Sequence, residues 1–167
     1  MKKIAILIES LFNEEELIAP YHRLREDYEV VLVGTEADTE YRSKEGFTKK
    51  SDVASRDISA DDFAGVVIPG GFSPDYMRKS KDSVKFVKDI YESGKPVAAI
   101  CHAGWMLAES LDLNGVKMTS TSTIRKDMEN AGANWVDEEV VVDKNLVTSR
   151  SPKDIPAFMK EFIKLVG

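Results

Sequence analysis

Residues 96–107 read PVAAICHAGWML. The apolar run from Pro96 to Ile100 has the length and continuity of a strand buried on both faces. Cys101 follows at once, and His102 to Leu111 carry helical spacing. A strand that passes straight into a helix is one unit of a parallel sheet, because parallel neighbours need a crossover of a dozen or more residues. The same alternation recurs on both sides. Upstream are strand candidates at Lys3–Glu9, Tyr28–Gly34 and Ala64–Ile68, with helices over Glu14–Asp27 and Lys79–Ser93. Pro20 interrupts the first of these helices, which predicts a start or a kink there. Gly46–Asp52 reads as a small polar extended excursion at an edge. Downstream come a strand candidate at Lys117–Ser120 and a helix over Ile124–Ala131. Two last strands, Val140–Val142 and Asn145–Ser149, are joined by a DKN turn, and Pro152–Val166 closes the chain as a helix. This order predicts an α/β fold with a mostly parallel sheet covered on both faces. Ligands in such folds sit beyond the carboxyl ends of the strands. Three features fall on that rim: Glu14 to Glu16 after the first strand, Pro69-Gly70-Gly71 after the third, and Cys101 after the fourth.

The 167 residues are 43% apolar and 31% charged, with a net charge of −6. A chain of this length is expected to form one domain over residues 1–167, burying about 70% of its unfolded surface. The acidic balance, with no basic run to offset it, argues against nucleic acid and anionic membranes as partners. No apolar run approaches the ~18 residues of a membrane span. The N-terminal MKKIAILIES has an apolar run only from Ile4 to Ile8, with no small-residue cleavage site after it. It reads as a first strand, and the protein as cytoplasmic. A single cysteine excludes an internal disulfide. With only His22 and His102 beside it, no metal site is expected.

A nucleophile on a sharp strand-to-helix turn needs small residues on either side, where larger side chains would clash. Ala99, Ile100, Cys101, His102, Ala103 and Gly104 fit that pattern with cysteine in the central place. The plain alternative is a buried cysteine acting as a small hydrophobe; the rim position favours the nucleophile. The chemistry wants a thiolate, and the helix N-terminus lowers a thiol pKa by at most about 1.5 units. Another group must assist. His102 is one candidate, although adjacent side chains usually diverge. Glu16 is the other: ionised it would repel a thiolate, and protonated it would donate a hydrogen bond, so it must be kept neutral by burial. Glu14 and Glu15 read as a solvated first helical turn. The amides of Gly70, Gly71 and His102 are candidates for an oxyanion hole. There is no GxGxxG, so a dinucleotide site has little support.

Beyond these readings, several segments together resemble the ThiJ/PfpI superfamily and its PfpI-type branch over essentially the whole chain. They are AICHAGWML after GKPVA, VVIPGGFSPDYMR, EELIAPYHRL and IRKDMENAGANWVDEEVVVDKNLVTSR, followed by the closing helix. The resemblance implies a flavodoxin-like three-layer α/β sandwich with a cysteine nucleophile elbow. It implies Cys101 as the nucleophile, Glu16 as the acid hydrogen-bonded to it, and Gly71 and His102 as oxyanion-hole amides. It further implies that His102 pairs with an acid from a neighbouring subunit, at the position of Asp75, in a homodimer or larger homo-oligomer. The PGGFSPDYMR segment is the candidate surface for that association. Where some relatives carry a tyrosine beside the site, this chain has Thr121. The activities implied are intracellular peptidase, glutathione-independent glyoxalase, deglycase of early methylglyoxal adducts, and stress protein or chaperone. The residues favour a small carbonyl substrate, free or on a glycated protein, because a thiolate adds to an aldehyde without a cofactor. A cysteine peptidase and a non-catalytic redox-sensing stress protein are the rival expectations.

Overall fold

In the computed structural model, which describes Met1–Gly167, strands and helices alternate as the sequence predicts. The first half of the chain forms β1 (Lys3–Leu7), α1 (Glu14–Leu24), β2 (Glu29–Gly34), β3 (Glu40–Arg42), β4 (Thr48–Lys50), β5 (Val53–Ala54), β6 (Gly65–Ile68), α2 (Ser73–Met77) and α3 (Lys81–Glu92). The second half forms β7 (Val97–Ile100), α4 (Gly104–Ser110), β8 (Lys117–Met118), α5 (Arg125–Asn130), β9 (Asn134–Trp135), β10 (Val140–Asp143), β11 (Leu146–Ser149) and α6 (Ile155–Val166). Seven strands make one sheet in the order β10-β11-β7-β6-β1-β2-β5. All neighbours in it are parallel except β10 against β11. From β1 the chain winds one way to β2 and β5, then the other way through β6, β7 and β11. The reversal falls between β1 and β6, and such a switch point opens a crevice at the carboxyl ends of the strands.

The central strands are almost wholly apolar because alternate side chains feed two cores. Ile4, Ile6 and Ile8 join Leu17 and Leu24 of α1 and Phe158 and Phe162 of α6. Ala5 and Leu7 join Phe86, Val87 and Ile90 of α3 and Met106 and Leu107 of α4 on the other face. β7 divides likewise, Ala98 and Ile100 to the first core and Val97 and Ala99 to the second. A one-residue slip would exchange the cores, so register is strongly specified. The result is the expected flavodoxin-like three-layer sandwich. No helix is long and apolar enough to cross a membrane.

Several boundaries differ from the sequence reading. α1 starts at Glu14, where the Asn13 side chain accepts from the Glu16 N–H at 3.1 Å, and it runs through Pro20. Pro20 is buried and removes only one helical donor; the helix ends at Leu24, short of Asp27. Gly46–Asp52 contains one arm of the β3–β4 hairpin, and β5 behind it is the last strand of the main sheet. α2 and β9 are further elements beyond those the sequence pattern predicts, and β9 pairs in parallel with β8. At the amino edge of the sheet the Lys2 ammonium donates to the carbonyls of Val166 at 2.8 Å and Gly167 at 3.2 Å.

Candidate active site

The chain leaves β7 through Cys101, whose φ of 62° lies in the left-handed region. For a non-glycine residue that costs roughly 1–2 kcal/mol, and such strain marks the nucleophile turn of a strand–helix elbow. A residue so placed cannot enter an α-helix directly. Cys101–Ala103 form a tighter 3-10 turn first, and α4 begins at Gly104 rather than at His102. The elbow needs its small residue: a Cβ at Gly104 would lie 2.9 Å from the Met128 sulfur. The turn is tied down from behind by the Thr121 N–H, which donates to the Cys101 carbonyl at 3.3 Å.

Glu16 arrives from the first turn of α1 and is 0% exposed. Its Oε1 accepts from the Gly70 N–H at 2.8 Å. Its Oε2 is buried without a partner in bonding geometry. Gly70 lies between the acid and the thiol, since a Cβ there would fall 2.6 Å from Glu16 Oε1 and 2.9 Å from Cys101 Cβ. Gly71 has a φ of 70°, and a Cβ there would meet the Leu11 carbonyl at 2.5 Å. The Gly70 amide is therefore committed to Glu16. The backbone amides of His102 and Gly71 are the ones whose dipoles lower the thiol pKa.

Burial dominates the electrostatics. It pushes the Glu16 carboxyl up to about 7, against the Gly70 N–H, the Lys44 charge and the Cys101 thiol. The thiol is pushed up to about 12 by burial and then by the negative charge of Glu16, against the two amides and Lys44. The lowered thiol pKa expected from a helix N-terminus is not met while Glu16 is ionised, because burial and the carboxylate together outweigh two N–H dipoles. Protonation of Glu16 removes the second of those causes. The pocket thus changes its proton count near neutrality.

His102 does not diverge from its neighbour. Its Nδ1 stands 3.5 Å from Cys101 Sγ, and its Nε2 stands 3.4 Å from Thr123 Oγ1. The ring packs between Trp105 and Phe72, with centroids 5.0 and 5.9 Å away. Burial and then the Lys44 charge lower its pKa, which keeps the imidazole neutral at pH 7. Asp75 lies on α2 in a 2.7 Å ion pair with Arg78. Within this chain His102 meets a hydroxyl, not a carboxylate. Glu15 is exposed and Glu14 half-buried, as a solvated helical turn requires. Lys44, Phe72, Trp105 and Thr123 escaped the sequence reading. Thr123 sits in the featureless run TSTST, and Lys44 belongs to a hairpin turn distant in sequence. No group of three or more His, Cys, Asp or Glu side chains stands close enough to hold a metal ion.

A sequence model of the DJ-1/PfpI family matches residues 2–165. A protein of Thermococcus kodakarensis named a deglycase is 43% identical over 164 residues, covering 98% of this chain and 99% of that protein. A Bacillus subtilis protein provisionally named a cysteine protease is 43% identical over 166 residues, covering 99% of this chain and 98% of that protein. Among solved structures, a two-domain Anabaena variabilis protein with DJ-1/ThiJ/PfpI-like and ferritin-like domains superposes with a TM-score of 0.95 at 41% identity. That match covers 98% of this chain and 48% of the other, so this chain spans about half of its length.

Proposed function

The chain belongs to the DJ-1/PfpI family, and on that premise we propose that it is a cysteine-dependent enzyme acting on methylglyoxal or glyoxal, free or as early adducts on proteins. The observation that carries this reading is a strained thiol beside a buried carboxyl whose pKa is pushed to about 7. A carboxyl poised there gives and takes protons with equal ease near neutral pH. Relatives named deglycases support the same chemistry.

The Cys101 sulfur adds to the aldehyde carbon. The carbonyl electron pair moves to oxygen, which takes a proton and gives a hemithioacetal. Glu16 removes the hydrogen from that carbon as a proton and returns one to the neighbouring carbon. The oxygens exchange their protons, and the product is the thioester of a 2-hydroxy acid. Water then attacks the thioester carbon, the thiol leaves with its electron pair and a proton, and lactate departs when methylglyoxal is the substrate. No outside oxidant or reductant enters. In this reading the amides of Gly71 and His102 stabilise the oxygen that becomes negative during addition and hydrolysis. In an assembly of copies, a second copy would bring Asp75 to His102, where one chain offers Thr123.

Lactate formed from methylglyoxal without glutathione, compared between wild type and Cys101→Ala, tests the reading. Turnover that disappears in the variant is expected; none from folded wild-type protein would overturn it. The relative named a cysteine protease favours peptide hydrolysis by the same thiol as a second reading. Gelatin zymography with the same variant as control separates the two.

A further inference from the structure

Lys44 lies beside the site in the turn between β3 and β4, and its backbone is fixed there. Its N–H donates to the Phe12 carbonyl at 3.0 Å, and the Leu11 N–H donates to the Arg42 carbonyl at 2.7 Å. Its ammonium is 5.4 Å from the centre of the Phe72 ring, the ring that packs against His102. Lys44 is exposed, and no ion pair of the chain uses it. Arg78, the other cation near His102, is already engaged: it is bonded to Asp75 and rests over Trp105 at 5.3 Å. The positive field of Lys44 reaches Glu16, Cys101 and His102 alike. A cation outside every ion pair, set over the ring that packs against His102, stands out on a chain of net charge −6.

We infer that Lys44 sets substrate class: the site prefers carbonyl compounds bearing a carboxylate near the reacting carbon, and the Lys44 ammonium holds that carboxylate while Cys101 takes the carbonyl. A single ammonium is a compact point charge, which matches one singly charged carboxylate. The carbonyl half of this inference rests on the proposed function, and the charge half rests on Lys44.

Two alkylating agents of nearly equal shape separate the halves. Iodoacetate carries a carboxylate, and iodoacetamide carries a neutral amide in its place. With each, the thiolate forms a sulfur–carbon bond and iodide leaves with the electron pair. The same thiolate attacks both, so the ratio of their rates cancels any change in thiol pKa. We expect the iodoacetate-to-iodoacetamide ratio at Cys101 to fall about fivefold in Lys44→Gln, the scale of one charge at contact in water. It should fall further in Lys44→Glu and stay near wild type in Lys44→Arg. Added salt should lower the wild-type ratio and leave that of Lys44→Gln nearly flat. A ratio unmoved by Lys44→Gln would overturn the inference, and so would failure of both reagents to label Cys101. Neither reagent needs turnover, so absence of methylglyoxal turnover would sink the proposed function while leaving this ratio standing.

Discussion

Glu16 acts on Cys101 with a sign that depends on its own proton. As a carboxylate it helps push the thiol up to about 12. As a neutral acid it loses that charge and gains a donor. Glu16→Gln keeps the shape without the charge, so the thiol of that variant should titrate at least about one unit lower than in wild type. The pH profile of iodoacetamide labelling reads this directly, and an unchanged or raised thiol pKa would refute the opposing role of the carboxylate. His102 offers a second residue-scale test. If Nδ1 is to face the sulfur as an acceptor, Nε2 must carry the proton and donate to Thr123 Oγ1. Thr123→Val removes that acceptor. We expect kcat on methylglyoxal to drop about tenfold with KM little changed, the size of one modest hydrogen bond, and Thr123→Ser to restore it.

Among the elements, the Gly70–Gly71 turn after β6 packs between Glu16 of α1 and Cys101 at the end of β7. A Cβ at Gly70 has no room, because the Glu16 oxygen it would strike is fully buried. Gly70→Ala should cost about 1–3 kcal/mol in urea unfolding and remove most activity, through displacement of Glu16. Gly94→Ala is the comparison: its φ is 82° but nothing lies within 4 Å. It should show only the left-handed backbone penalty of about 1 kcal/mol and full activity. Elements with a pattern long enough to show period were legible from sequence: β1, β2, β6, β7, α3 and α6. The Cys101 elbow was legible because small residues and an apolar strand surround the one thiol of the chain. β5 and β9 are two residues each, too short for any periodicity. Lys44 and Thr123 reach the site from a hairpin turn and a polar loop. Their position is set by tertiary packing, which local pattern does not encode.

For the molecule as a whole, the poised carboxyl has a thermodynamic counterpart. Folding raises the Glu16 pKa from 4.5 to about 7. A group that holds its proton more tightly when folded stabilises fully below pH 4.5, and this contribution is lost as pH rises through about 7. The loss is about 3 kcal/mol in all. Glu16→Gln has no such proton to lose. Its Tm relative to wild type should therefore climb between pH 5 and pH 8, and a constant difference would show that burial of Glu16 carries no such cost. The sheet has one further consequence at this scale. Lys2 is clasped to Val166 and Gly167 at its amino edge, while Cys101 leaves its carboxyl edge. The five residues of β1 separate the two edges by about 15 Å. A tag or a surface tether at either terminus would thus grip the molecule by the edge opposite the thiol, and immobilised protein would present Cys101 to solution.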